Sequence, residues 1–263
     1  MGNAYVLESE SGETLLIECG VRFELIKKEL SFRLNRVSGC ILTHKHNDHS
    51  KSIKDALSAG INVWASKGTH EACGTDKHHR ARITANGHKF QVGSFKVLSF
   101  DVKHDVKEPL GFLINHEECG NVLFLTDSYY CEYTFRNLNN IIIEANYCQT
   151  ILDDRLARGT NPKFLRDRVI ESHMSLDTCK KTLSANDLSR VNNIVLIHLS
   201  DGNSDAKRFQ REVQEQTGKV VHVAYKNQII PFNKNPFHMS KRKLTVSDDG
   251  ASIRPPSKRF TIN

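Results

Sequence analysis

The chain has 263 residues, 38% of them hydrophobic, and a formal net charge of +7. That length suits one large α/β domain with a sizeable core, or a domain and a tail; no run of about eighteen apolar residues is present to span a membrane. The opening decapeptide lacks the basic and apolar regions of a secretory signal, and Val6 stands where a myristoylation motif needs Ser or Thr. Seven scattered cysteines form no CxxC pair; Cys19, Cys40, Cys119 and Cys148 lie beside apolar runs and read as buried thiols, as expected of a cytoplasmic protein rather than a disulfide scaffold.

In chain order, Asn3–Glu8 and Thr14–Glu18 read as two strands about a Ser11-Gly12 turn. Phe23, Ile26, Leu30 and Leu34 fall at helical spacing and predict an amphipathic helix over Val21–Asn35. Cys40, Ile41 and Leu42 form a short buried strand ending at Thr43; a helix follows over Ser50–Ala59, then a short strand over Val63–Ala65. The polar stretch Gly74–Gly87 reads as loop. Phe95–Val102, Leu110–Asn115 and Val122–Thr126 are predicted strands, the last two a hairpin, and Ile141–Ile143 is a buried strand that ends at Glu144. Helical stretches at about Thr150–Ala157 and Leu176–Leu183 have Pro162 between them. Ile194–Ile197 is a buried strand, Ala206–Thr217 a helix, and Val220–Ala224 and Gln228–Pro231 closing strands. The recurring order of strand, polar residue and helix predicts an α/β fold: an αββα sandwich of two mixed sheets flanked by helices, with strand ends meeting at one edge. The domain spans 1–232. Residues 233–263 carry seven Lys/Arg against Asp248 and Asp249, a basic tail that suits a polyanionic partner or is simply a solvated, flexible end.

The densest chemistry is Thr43-His-Lys-His-Asn-Asp-His49. Residues i and i+2 of an extended segment point the same way, so His44 and His46 can bind one metal, leaving Asp48 and His49 for a second ion nearby. Imidazole and carboxylate at this spacing suit zinc or a similar divalent ion. Four predicted strands end in a candidate ligand: His44, His104, Asp127 and His198. Each alone is an ordinary polar residue at a loop start; together with the His44–His49 cluster they favour ligation. Arg155, Arg158, Lys163, Arg166 and Arg168 form a basic arm between Glu144 and His173 that either tracks a nucleic-acid backbone or is a plain exposed face. His78 and His79, with Lys77, Arg80 and Arg82, read as a solvated loop, and Trp64, Phe100 and the scattered tyrosines as core.

The His44–His49 segment resembles the signature of the metallo-β-lactamase superfamily. That resemblance implies two divalent metal ions, zinc or manganese: His44, His46 and His104 on the first, Asp48, His49 and His198 on the second, Asp127 bridging. Glu144, in Ile-Ile-Glu-Ala-Asn, and His173, in Glu-Ser-His-Met-Ser, resemble the Glu–His pair of the ribonuclease Z branch, which implies that His173 protonates the leaving oxygen and Glu144 orients it. A phosphodiester needs such an acid, because its alkoxide leaving group is poor. Gly2-Asn-Ala-Tyr-Val-Leu7, His104-Asp-Val-Lys-Glu-Pro-Leu-Gly111, Glu-Ala-Asn, His-Met-Ser-Leu-Asp and Leu-Ile-His-Leu-Ser-Asp are similar to motifs of the YycJ (WalJ) group of bacterial and phage hydrolases, from Gly2 to about Phe232. Glu18 stands where that group has Asp, and Tyr147-Cys148 where it often has His-Asp.

The resemblance implies an enzyme: a cytoplasmic phosphodiesterase of a bacterial or phage-infected cell acting on nucleic acid, and within that a 5′-to-3′ DNA exonuclease. A hydroxide held between the ions is the expected nucleophile, with Asp48 ligating and orienting it. A phosphodiesterase for cyclic or small nucleotides, and a metal-containing nucleic-acid-binding protein without turnover, are the competing expectations. A homo-oligomer is compatible with all three.

Overall fold

The computed structural model describes residues 2–159, 163–235 and 259–262. In chain order the elements are β1 (Tyr5–Glu8), β2 (Thr14–Ile17), α1 (Phe23–Glu29), β3 (Val37–Ile41), α2 (Asn47–Ser50), α3 (Ile53–Ser58), β4 (Val63–Ala65), α4 (Lys67–Cys73), β5 (Ala81–Ile83), β6 (Lys89–Val92) and β7 (Phe95–Asp101). They continue with β8 (Leu110–His116), β9 (Gly120–Leu125), β10 (Leu138–Glu144), α5 (Gln149–Ala157), α6 (Lys163–Ser172), α7 (Leu176–Ser184), β11 (Asn193–Ile197), α8 (Ala206–Thr217), β12 (Val220–Val223), β13 (Gln228–Ile230) and β14 (Arg259–Ile262). One sheet runs β13-β14-β1-β2-β3-β4-β5, the other β12-β11-β10-β9-β8-β7-β6, and both mix parallel and antiparallel pairs.

Side-chain alternation along each strand sorts the core into three layers. Between the sheets, Leu15, Ile17 and Ile41 meet Phe112, Ile114, Val122, Phe124, Ile142 and Val195. On the outer face of the first sheet, Leu16, Cys40 and Leu42 pack with Ile26, Ile53 and Leu57 of the helices. On the outer face of the second, Leu123, Ile141, Ile143, Ile194 and Leu196 pack with Leu176, Leu183, Phe209 and Val213. The predicted αββα sandwich is therefore the observed one. Every residue of β10 is buried, because parallel neighbours flank it on both edges and both of its faces are covered. Strands β9, β10 and β11 run parallel, so Leu125, Glu144 and Ile197 end at the same edge of the sheet.

Several local expectations differ from the structure. The helix predicted over Val21–Asn35 stops at Glu29, because Ser31 and Phe32 take left-handed backbone (φ 49° and 59°); Leu34–Arg36 is a separate 3₁₀ turn. The helix predicted over Ser50–Ala59 is two pieces, α2 and α3. Gly74–Gly87 contains β5, an edge strand of three residues, Ala81-Arg82-Ile83, too short to show a period. Helices α4 and α6 and strand β6 were not predicted: α6 is rich in charge, and β6 alternates as Lys-Phe-Gln-Val but over four residues only. Tyr5 and Tyr147 are core residues as expected, whereas Tyr129, Tyr130 and Tyr225 are exposed. Pro162 and most of the basic tail, 236–258, lie outside the described residues; β14 pairs antiparallel with β1 and β13.

The first residues reach the functional edge. The Asn3 amide donates to the Asp48 carbonyl at 2.7 Å, and the Gly20 amide to the Asn3 carbonyl at 2.8 Å. A Cβ on Gly20 would stand 1.7 Å from the Asp48 carbonyl oxygen, so only glycine lets these segments meet.

Candidate metal centre

β3 ends at Ile41, and the next residues cross the sheet edge into the two turns that carry His44, His46, Asp48 and His49. The Ser50 hydroxyl donates to the Lys45 carbonyl at 2.7 Å and ties the first turn down. His104 follows β7, Asp127 follows β9 and His198 follows β11. Three non-glycine residues here hold left-handed backbone: Glu18 (φ 63°), Asp127 (φ 44°) and His198 (φ 57°). Each costs on the order of 1 kcal/mol or more and persists because the surroundings fix it. Asn146 donates its amide to the His198 carbonyl at 2.7 Å, and the Thr126 hydroxyl donates to Asp127 Oδ1 at 2.9 Å.

Nε2 of His44 and Nε2 of His104 each lie 3.1 Å from Nδ1 of His46. Nδ1 of His104 is within 3.0 Å of the Ser172 carbonyl, which can only accept, so that nitrogen carries the proton and Nε2 presents a lone pair. Both separations are close to the edge of a tetrahedron about a cation, about 3.3 Å for metal–nitrogen bonds of about 2.0–2.1 Å. Asp127 Oδ2 completes the group, 3.4 Å from His44 Nε2 and 3.7 Å from His104 Nε2. The same oxygen lies 3.2 Å from His49 Nε2. A second group gathers there: Asp48 Oδ2 is 3.4 Å from both His49 Nε2 and His198 Nε2. The donors within each group all lie within 4.8 Å of one another. Imidazoles and carboxylates disposed about one shared oxygen fit two divalent cations.

Behind His198 stands Glu144, fully buried. Its Oε1 is 2.9 Å from His198 Nδ1 and 2.8 Å from His173 Nδ1, and its Oε2 accepts from the Ser128 and Met174 amides at 3.2 Å each. The carboxylate thus orients both imidazoles through Nδ1. Burial opposes its ionisation, but His173 and His198 outweigh that and hold it below the usual carboxylate range.

Electrostatically the histidines divide. Burial pushes His44, His46 and His104 down, so they are neutral at pH 7. Burial also works against protonation of His49, His198 and His173, but the neighbouring carboxylates prevail. Asp127 and Glu18 raise His49 well above the ordinary range, Asp127 and Asp48 push His198 up to about 10, and Glu144 raises His173. Burial likewise opposes ionisation of Asp48 and Asp127, yet the facing imidazoles hold both carboxyls well below the usual range.

The departure at Glu18 has a visible consequence. Its Oε1 accepts from the Thr43 amide at 3.3 Å but stops 3.6 Å from His49 Nδ1, and both His49 Nδ1 and Glu18 Oε2 are buried without a hydrogen-bond partner. His49 is therefore held less firmly than His104 or His198.

The seven expected ligands, with Glu144 and His173, are thus brought to one edge. The basic arm is not gathered in the same way. Arg168 lines an open cleft of about 300 Å³ together with His46, Asp48, His104, Asp127, His173 and His198. Arg166 is turned to Asp153 (2.8 Å) and Asp167 (3.1 Å), Arg155 lies against Gly202, and Arg158 is exposed at the end of α5. Lys163 opens α6, and its side chain lies outside the described residues. Sequence reasoning passed over Asp105, whose Oδ1 is 3.3 Å from His104 Nε2, and Asn3, whose amide nitrogen is 3.2 Å from His49 Nε2. Adjacency to His104 was the one available signal for Asp105; Asn3 lies 45 positions from Asp48, and nothing local linked them.

Comparison with known proteins agrees with this geometry. The family described as "Beta-lactamase superfamily domain" matches residues 14–199. The exodeoxyribonuclease YycJ of Bacillus anthracis is 25% identical over 228 residues, covering 80% of this chain and 84% of that protein. Among solved structures, the metallo-β-lactamase fold protein YhfI of Bacillus subtilis superposes with a TM-score of 0.62 at 17% identity (84% of this chain, 88% of that one). The short form of human tRNase Z superposes with a TM-score of 0.57 at 17% identity (88% and 92%).

Proposed function

The chain belongs to the β-lactamase superfamily, as a metal-dependent hydrolase of that fold, and from that premise we propose that it is a dinuclear phosphodiesterase that degrades DNA as an exonuclease. What carries the reading is the Glu144–His173 pair at the lip of the metal cleft: an oriented imidazole serves a poor alkoxide leaving group, for which an amide or thioester hydrolase has less use. The name of the B. anthracis relative supports DNA as the polymer, 5′-to-3′ digestion is the polarity we assign, and the openness of the cleft suits a polymer over a small nucleotide.

His44, His46 and His104 would hold one divalent ion, zinc or manganese, and Asp48, His49 and His198 the other, with Asp127 between them. Bound there, the ions supply Lewis acidity at the phosphoryl group and acidify water to near neutral pH. Asp48, partly exposed, accepts a proton-bearing contact from the attacking water and aims it at phosphorus. Arg168 steadies a phosphate oxygen from α6. Burial works against the protonated form of His173, but Glu144 at its Nδ1 outweighs that and favours it; its Nε2 delivers the proton to the departing oxygen. Glu144 keeps its own charge throughout, stabilising the imidazolium.

The decisive experiment incubates the metal-loaded protein with 5′- and 3′-labelled single-stranded DNA, duplex DNA, RNA and cyclic nucleotides. DNA should shorten stepwise from the 5′ end, and His173→Ala should lower kcat by about 10²–10⁴-fold while leaving metal content intact. Consumption of cyclic nucleotides alone would replace this reading with the small-nucleotide one, and binding of DNA without turnover under zinc or manganese would replace it with a binding protein.

A further inference from the structure

The loop that leaves Asp127 carries two tyrosines that the metal chemistry does not use. Tyr129 and Tyr130 are 45% and 53% exposed, two and three residues beyond Asp127. Their loop is not loosely attached. The Ser128 amide donates to Glu144 Oε2 at 3.2 Å and its hydroxyl to the Tyr130 carbonyl at 2.6 Å; the Lys103 amide donates to Ser128 Oγ at 3.0 Å, and the Tyr129 amide to the Lys103 carbonyl at 3.1 Å. The backbone that presents the rings is therefore tied to Glu144 and to the residue preceding His104.

The rings themselves have nothing to hold. Among the described residues neither stacks on another aromatic ring, and neither hydroxyl makes a hydrogen bond. Tyr5 and Tyr133, by contrast, are hydrogen-bonded to Asn3 and Asp101. Lys103, the cation next to them, is bound to Glu132 at 3.1 Å, so this rim offers aromatic faces rather than positive charge. On α6, Arg168 lines the cleft, and Phe164, 69% exposed, lies one turn before it on the same helical face. The end of that helix touches the metal group directly, through the Ser172 carbonyl and His104.

We propose that Tyr129 and Tyr130 are a stacking platform for the unpaired bases next to the phosphate being cleaved, so that the substrate is a single-stranded or frayed nucleic-acid end. This rests on the reading of the site as a nucleic-acid phosphodiesterase and names the form of polymer it takes. Only an unpaired base exposes its face to a ring, and aromatic stacking is tolerant of sequence because every base has such a face. The backbone that carries the rings is already fixed, and a tyrosine side chain has only two rotatable angles, so stacking costs little conformational freedom. The rings contribute affinity and the ions position the phosphate.

The test measures fluorescence anisotropy of metal-loaded protein with phosphorothioate-linked strands, which resist cleavage: a based single strand, an abasic strand of equal length and a blunt duplex. The wild-type protein binds the based single strand tightest. Replacing both tyrosines by Ala weakens binding of the based strand by about tenfold per ring, down to the abasic level, without changing the salt slope, because no phosphate contact is lost. Tyr129→Phe and Tyr130→Phe retain the affinity. Metal content and unfolding midpoint equal to wild type certify the fold of each variant. Equal wild-type affinity for based and abasic strands, or equal weakening of both in the double variant, overturns the platform. Failure of the hydrolytic reading looks different: based strands with natural linkages would bind through the tyrosines but stay uncut, leaving the platform intact and removing the nuclease.

Discussion

In the metal-free protein the histidines around Asp127 differ in charge, and that difference makes metal loading pH-dependent. His44, His46 and His104 are depressed by burial and neutral, so the first group is ready to bind at any pH above their lowered values. His49 and His198 are raised, the latter to about 10, so both carry protons throughout the neutral range and release them only when pH climbs through those raised values or a cation displaces them. The second ion should therefore bind with release of about two protons and gain affinity as pH rises from 6 to 8.5, while the first should release almost none. Calorimetric zinc titrations in buffers of different ionisation enthalpy measure this; equal proton release for both ions would contradict it. The loose fit of Glu18 to His49 acts in the same direction, weakening the second group relative to the first.

At the scale of elements, helices α5 and α6 turn a run of basic residues into unequal tools. Arg166 is turned to Asp153 and Asp167 in a surface arrangement that solvent screens, whereas Arg168, half a turn further on, lines the cleft. Arg168→Ala should weaken binding of DNA and reduce the slope of log K against log salt by about one, with Arg166→Ala changing the slope much less. Equal slopes for the two variants would show that the ion pair to Asp153 opens freely. The sequence announced five basic residues between Glu144 and His173 but not which would face the site, because α6 had no apolar period to set its rotation. Strands were more legible. The apolar runs of β3, β9, β10 and β11 each marked both a buried strand and the polar residue at its end. Short edge strands such as β5 and β6 were not, since three or four residues are too few for a period of two to stand out from the flanking loop.

For the molecule as a whole, the centre is a joint product of both sheets: His44, His46, Asp48 and His49 come from one, His104, Asp127 and His198 from the other. No half of the sandwich holds it alone. Metal release and loss of far-UV ellipticity should therefore coincide in a single urea transition. Phe124 lies fully buried between the sheets, edge-on to Tyr5 at 5.4 Å, on the strand that delivers Asp127. Phe124→Ala should cost about 3–5 kcal/mol and move both signals to lower urea together; metal loss well before unfolding would mean that one sheet suffices.

The amino-acid order by itself determined the periodicity of the elements, the αββα layering and the types of residue at the functional edge, because these depend on local spacing: period two in strands, period 3.6 in helices, and imidazoles two residues apart. Tertiary structure alone decided which donors share the oxygen of Asp127, that Asn3 and Asp105 join them, that Glu18 falls short of His49, and that Tyr129 and Tyr130 face solvent. Those contacts join residues as far apart as 150 positions, as between Asp48 and His198. Their geometry follows from how two twisted sheets close on one another, which no window of sequence contains.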